Sequence, residues 1–177
     1  TELSGLESLT GRLVVRFKRD FRASYLLGTK YCDELVVAEI RPERLTIQEF
    51  PGFANVRLEF AQLKYVISRG ITSWKSALES VAGVYLISDK AAGKLYVGSA
   101  YGADGIWGRW RLYAVVSHGE NKELKLLLEE KGDAYASNFR SSVLEICDLL
   151  TSREEVIGRE SHWKEALLSR TFGYNST

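Results

Sequence analysis

The sequence predicts an α+β protein with a small, mostly-β N-terminal domain over residues 1–70, a helical connector over 71–81 and a second domain over 82–177. In the first part, short β-branched and aromatic runs alternate with turn residues, which is typical of a small antiparallel sheet or barrel. A helical pattern then covers residues 72–79. Beyond it the order becomes strand, strand, helix, helix, strand, helix, which predicts a small three-stranded sheet flanked by helices.

The N-terminal strands are short and partly alternating. We expect them at 13–17, 23–27, 34–40, 45–47 and 56–60. Turn residues such as Pro51-Gly52 separate them.

Basic and aromatic residues are interleaved at the start of that domain. They are Arg12, Arg16, Lys18, Arg19 and Arg22, with Phe17, Phe21 and Tyr25 between or beside them. Such a mixture can bind phosphates and stack on bases. A solvated strand edge with aromatic core residues explains the pattern equally well.

The second domain begins with a predicted β-hairpin. Strands at 83–87 and 94–98 flank a polar turn that ends at Gly93, which is free to adopt positive φ. Helices are expected at 106–114 and 121–131, and a third strand at 141–146. The last helix opens with the capping-box pattern of residues 152–155 and runs to about residue 168.

Glu160 is the most informative single residue. It shares a face of the last helix with Val156, Trp163 and Leu167, so a carboxylate lies on or beside an apolar stripe. A buried carboxylate is costly unless it is paired or binds a metal. On spacing alone, an ion pair with an arginine or a position in solvent is the simpler explanation.

Arg109 and Tyr113 share a helix face in the same way. The planar guanidinium suits a phosphate, and Tyr113 could hold or assist it, whereas Arg111 faces elsewhere and is the second candidate for the contact. Tyr85 and Tyr96 are central in the two hairpin strands, where a hydroxyl could orient or deprotonate a water. Taken singly, these residues also fit a solvated arginine and aromatic core residues.

In their order along the chain, these residues resemble the GIY-YIG nucleases. Gly83-Val84-Tyr85 and Tyr96-Val97-Gly98 are similar to the paired tripeptides that name the family. Arg109 lies in the helix after the second tripeptide, Glu160 in the late helix, and Gly173-Tyr174-Asn175 at the end, each where the family has a functional element. The resemblance covers about residues 81–175, and it implies that residues 1–70 form a substrate-binding or accessory domain.

The resemblance implies a three-stranded antiparallel sheet flanked by helices and a shallow catalytic face. One divalent ion, Mg²⁺ or Mn²⁺, would be held by Glu160 and by substrate oxygens. Arg109 would bind the phosphate, while Tyr85 and Tyr96 would position or activate the attacking water, with Tyr85 as the preferred base. Asn175 would support the site structurally.

One position departs from the family pattern. Many members have a histidine one turn beyond the arginine, where this chain has Tyr113. His118 follows nearby and could act as an alternative proton acceptor, because histidine titrates near neutral pH. A histidine in a surface loop is an equally good interpretation.

The resemblance therefore implies a metal-dependent endonuclease that acts on double- or single-stranded DNA, of restriction, mobile-element or defence type. A repair or single-strand-directed nuclease, or an inactive nucleic-acid-binding protein, is the alternative. The net charge of +1 is a weak electrostatic footprint for such a partner.

No membrane association is expected, because no apolar run approaches the roughly 20 residues of a spanning helix. With free thiols at Cys32 and Cys147 and no secretory leader, a cytoplasmic location is expected, and an oligomer is possible.

Overall fold

A computed structural model describes residues 9, 11–16, 31, 33, 35–40 and 49–176 of the chain. The chain divides into two compact units, Thr1–Ile47 and Gln48–Thr177. The strands predicted at 23–27 and 45–47 lie outside the described residues, as do Lys18, Arg19 and Cys32. Among the described residues, no helix combines the length and the apolar character that crossing a membrane requires.

The first unit contains an antiparallel strand pair, formed by β1 (Leu13–Arg16) and β2 (Val36–Ile40). Both strands fall within predicted ones. Arg16 is exposed at the end of β1, and Arg12, the residue before the strand, is half-buried.

The second unit is built on a four-stranded antiparallel sheet with the order β3-β6-β4-β5. The strands are β3 (Arg57–Glu59), β4 (Val81–Asp89), β5 (Lys94–Ala100) and β6 (Phe139–Asp148). The hairpin and the third strand were predicted, and the α+β class is confirmed. The sheet has one strand more than the predicted three, because β3 pairs with β6, with Leu58 opposite Ser141.

Helices cover the sheet and follow the predicted order. They are α1 (Phe60–Arg69), α2 (Thr72–Glu79), α3 (Gly105–Val116), α4 (Lys122–Lys131), α5 (Arg153–Ala166) and α6 (Ser169–Phe172). Short 3-10 segments lie at Phe53–Asn55 and Asp133–Asn138. Ser152 caps α5 as predicted, with its side chain accepting from the backbone N–H of Glu155 at 3.2 Å.

Helix α1 was not predicted, and it moves the boundary between the two parts of the chain. Its first turn is capped by Glu59, whose backbone N–H donates to Gln62 at 2.9 Å, and the helix ends at Gly70. Leu63 and Val66 on its inner face are buried. Residues 48–70 thus belong to the second unit, whereas the sequence placed them in the N-terminal domain.

The hairpin register explains the glycine of the second tripeptide. Tyr85 on β4 lies opposite Gly98 on β5. A Cβ atom built at Gly98 would lie 2.4 Å from the Tyr85 hydroxyl oxygen and 2.5 Å from Cζ. The Tyr85 ring therefore lies over Gly98, in space that any side chain at that position would fill.

We predict that Gly98→Ala lowers the free energy of unfolding by about 1–3 kcal/mol, because the ring and the added methyl cannot share that space. Gly158→Ala on α5 is the matched control: no atom lies within 4 Å of the added carbon. There alanine should raise stability by up to about 1 kcal/mol, through helix propensity. Urea unfolding of both variants measures the difference, and equal stabilities would contradict this packing.

Candidate active site

Arg109 is held by two buried phenols. Its Nε donates to the Tyr85 hydroxyl at 3.1 Å, and that hydroxyl lies 3.2 Å from the Tyr113 hydroxyl. The guanidinium carbon also lies 5.6 Å from the centroid of the Tyr113 ring, within the range of a cation–π contact. Tyr85 is 0% and Tyr113 1% exposed. The shared helix face predicted for Arg109 and Tyr113 thus forms one cluster with the first hairpin tyrosine.

The electrostatics of this cluster favour neutral phenols beside a charged arginine. Burial raises the pKa of Tyr85 and of Tyr113 well above the ordinary phenol value. For Arg109, burial alone would lower the pKa, but the two neighbouring phenols outweigh it and the pKa is raised. The arginine therefore keeps its charge, and the phenols keep their protons near neutral pH.

A cleft of about 650 Å³ opens beside this cluster. Its walls are formed by Tyr96, Ser99, Ala100, Tyr101, Ala103, Asp104, Gly105, Gly108, Arg109, Arg111, Leu112 and Glu160. Three of the predicted catalytic residues, Tyr96 of β5, Arg109 of α3 and Glu160 of α5, thus meet at one cavity. Tyr85 and Tyr113 are not in its walls and lie behind Arg109.

Glu160 is half-buried in the cleft wall and both of its carboxylate oxygens have partners. Oε1 pairs with the ammonium of Lys164, one helical turn later, at 2.8 Å. Oε2 accepts a hydrogen bond from the hydroxyl of Ser99 on β5. The sequence predicted neither partner, because an ion pair was expected with an arginine. The i, i+4 spacing between Glu160 and Lys164 was the signal that could have identified the lysine.

Asn175 fixes the outer edge of β5. Its side-chain carbonyl accepts from the backbone N–H of Val97 at 2.8 Å, and its amide donates to the carbonyl of Val97 at 2.8 Å. The backbone N–H of Tyr174 also donates to Leu95 at 2.8 Å. Because β5 is an edge strand, these bonds satisfy groups that the sheet leaves open, on both sides of Tyr96.

Two further predicted site residues of the second unit, His118 and Arg111, have partners of their own. His118 is half-buried in the turn after α3, where its Nδ1 accepts from the backbone N–H of Glu120 at 3.0 Å, and it is not in the cleft wall. Arg111 lies at the cleft rim, exposed, with Nη2 3.7 Å from a carboxylate oxygen of Asp104. Arg12 and Arg16 belong to the first unit.

The cleft offers few ligands for a metal ion. Within the described part of the chain, no group of three or more His, Cys, Asp or Glu side chains could hold one. Glu160 and Asp104 are the carboxylates of the cleft wall, and Asp104 is paired with Arg111. This donor set fits a site of the sparse Mg²⁺ type, in which one carboxylate is joined by waters and substrate phosphate oxygens.

Two solved structures are similar to the chain. One is the catalytic domain of the intron endonuclease I-TevI in a point mutant, with 26% identity, a TM-score of 0.42, and coverage of 55% of this chain and 94% of that one. The other is the catalytic domain of the homing endonuclease I-TevI, with 28% identity, a TM-score of 0.41, and coverage of 54% and 98%. No family model and no curated protein matches the sequence.

We predict that stability falls at high pH because of the two buried phenols. Unfolded phenols ionise near pH 10, whereas burial raises the folded pKa of Tyr85 and Tyr113, so their contribution is complete below about pH 10 and is lost above it. Each phenol adds a slope of up to about 1.4 kcal/mol per pH unit. Urea unfolding between pH 8 and pH 11 should show a shallower decline for Tyr85→Phe than for the wild type, and identical slopes would contradict the assignment.

Proposed function

We propose that the second unit is a nuclease that hydrolyses DNA phosphodiester bonds, with a GIY-YIG type of active site. The observation that supports it most is the cleft that joins Tyr96, Arg109 and Glu160. Hydrolysis of a phosphodiester requires a cation at the non-bridging oxygens and a group that orients the attacking water. It also requires stabilisation of the charge that develops on the leaving oxygen. A guanidinium, a phenol and a carboxylate able to hold a divalent ion supply these three functions.

Arg109 is suited to bind the phosphate because its partners orient it without neutralising it. Its Nε is used by Tyr85, so the terminal nitrogens are the donors that remain for a substrate oxygen. A carboxylate partner would have reduced the positive charge seen by the substrate, whereas a phenol that stays protonated does not. We therefore assign phosphate binding to Arg109, and positioning of Arg109 to Tyr85 and Tyr113.

Tyr96 is the better candidate for the residue that orients the attacking water. The sequence favoured Tyr85 as the base, but Tyr85 is fully buried behind Arg109 and its pKa is raised by that burial. A buried neutral phenol with two hydrogen-bond partners is a poor proton acceptor. Tyr96, in contrast, lies in the cleft wall, and 7% of the residue is exposed.

Glu160 would hold one Mg²⁺ or Mn²⁺ ion together with water and phosphate oxygens. Such an ion, when bound, stabilises charge on the phosphate and on the leaving oxygen. Ser99 orients the Glu160 carboxylate through its hydroxyl group. Asn175, which pins the β5 backbone between Tyr96 and Ser99, keeps both side chains in place.

The first unit and the cleft rim would add binding energy. Arg12 and Arg16, at β1, and Arg111, at the rim, carry positive charges that would contact phosphates of double- or single-stranded DNA. Lys18 and Arg19 belong to the same basic segment of the sequence. A role in restriction, in a mobile element or in defence is part of this proposal.

We predict that the wild type cleaves DNA with Mg²⁺ and is inactive with EDTA, and that Glu160→Ala abolishes cleavage but still binds DNA. The reason is that Glu160 would supply the ion's protein ligand, whereas the arginines supply phosphate contacts. Cleavage of labelled double- and single-stranded DNA, with binding measured in EDTA, tests both parts. Wild-type turnover by Glu160→Ala would remove Glu160 from the mechanism, and binding without any cleavage by the wild type would leave a binding protein.

We also predict that Arg109→Lys lowers kcat by about 10²–10³-fold, as expected when a preorganised charge at the reacting phosphate is lost. Lysine keeps a charge but cannot bond Tyr85 through Nε and present a planar pair of donors at once. Arg111→Lys, at the exposed rim, is the matched control and should change kcat by less than a few-fold. Similar losses in the two variants would show that Arg109 has no special place in the reaction.

A further inference from the structure

The Glu160 carboxylate already has a cation beside it. The Lys164 ammonium lies 2.8 Å from Oε1, and Ser99 bonds Oε2, so both oxygens are engaged. The two charged side chains are only 12% and 15% exposed. Water and salt therefore screen this ion pair much less than they screen a pair on the protein surface.

A second lysine–glutamate pair of the same helical spacing shows the contrast. Lys125 and Glu129 on α4 are 4.0 Å apart, and each side chain is 59% exposed. That pair stands in solvent, away from the cleft. The pair at Glu160 is largely shielded from solvent, and Glu160 is the residue whose carboxylate oxygen would bind the metal ion in the proposed reaction.

A divalent ion and the Lys164 ammonium would compete for the same carboxylate. An ion held by the Glu160 carboxylate would lie close to the ammonium, which is 2.8 Å from Oε1 of the same group. The other carboxylate and the arginines of the cleft wall have partners of their own. Asp104 is already paired with Arg111, and Arg109 is held by neutral phenols. An incoming phosphate would supply the missing negative charge.

We propose that the Lys164 ammonium occupies the Glu160 carboxylate in the DNA-free protein and opposes metal binding there until a DNA phosphate enters the cleft. This inference rests on the proposed function, since it takes Glu160 as the metal ligand. It makes Lys164 a positioning residue that sets the order of binding, with DNA first and the ion second. The lysine holds the carboxylate in place in the DNA-free protein, and the carboxylate becomes available to the ion when the phosphate contributes its negative charge.

The test is Mn²⁺ binding to the full chain without DNA, followed by the electron paramagnetic resonance signal of the free ion. Lys164→Gln should bind Mn²⁺ about tenfold or more tightly than the wild type, because a charge close to the ion has been removed. Lys164→Arg, which keeps the charge, should bind as the wild type does. Lys125→Gln, which opens the exposed pair on α4, is the matched control and should also leave the affinity unchanged.

A double variant locates the effect. Glu160→Gln combined with Lys164→Gln should lose the gain in affinity, and a gain that persists would place the ion elsewhere and overturn the proposal. Unchanged or weaker binding by Lys164→Gln, with circular dichroism showing a folded protein, would overturn it too. The titration contains no DNA, so it is independent of the cleavage assay. Failure of the wild type to cleave DNA would contradict the nuclease proposal, whereas the Mn²⁺ affinities alone decide the role of Lys164.

Discussion

The site depends on the way one guanidinium is half-buried without losing its charge. Removing a cation from water is costly unless hydrogen bonds and an ionic partner compensate. Arg109 is compensated by a hydroxyl on Nε and by an aromatic ring, both from phenols whose own burial keeps them neutral. The result is a fixed positive charge directed at a cleft, with donors that are not committed to a carboxylate.

The rest of the fold makes that arrangement possible. The pairing of β4 with β6 shifts register between Val84 and Tyr85, and Gly98 leaves room for the Tyr85 ring. Around that ring lie Tyr96, Trp110 and Tyr113, with centroids 6.4, 6.3 and 5.9 Å away. This aromatic packing connects the hairpin to α3, so Tyr96 on β5 and Arg109 on α3 are held by the same contacts.

Local patterns in the sequence predicted much of this site. The hairpin, α3 and the capped start of α5 all have periodicity and turn residues that a single sequence reveals. Tyr96, Arg109 and Glu160 were singled out only by their order along the chain, since each alone also fits a structural role. The strand expected at 56–60 is present as β3, but helix α1 was missed because it follows that strand with no turn residue between them and Glu59 is an unusual capping residue. The pairing of β3 with β6 joins segments more than eighty residues apart, and no local signal encodes it.

The division of labour between the tyrosines could not be predicted either. Both are central in strands, but the register that covers Gly98 with Tyr85 buries that ring, while Tyr96 reaches the cleft wall. The Ser99 contact with Glu160 also depends on where α5 packs against β5. These features arise from tertiary packing, which strand and helix patterns do not specify.

A crystal structure of the chain with DNA, grown in EDTA, tests the central claim most directly. The account predicts a phosphodiester with its oxygens about 3 Å from the terminal nitrogens of Arg109, while Nε still bonds Tyr85. The Tyr96 hydroxyl should face the same phosphate. DNA bound with its phosphates away from this cleft, or Arg109 turned away from Tyr85 to reach them, would contradict it.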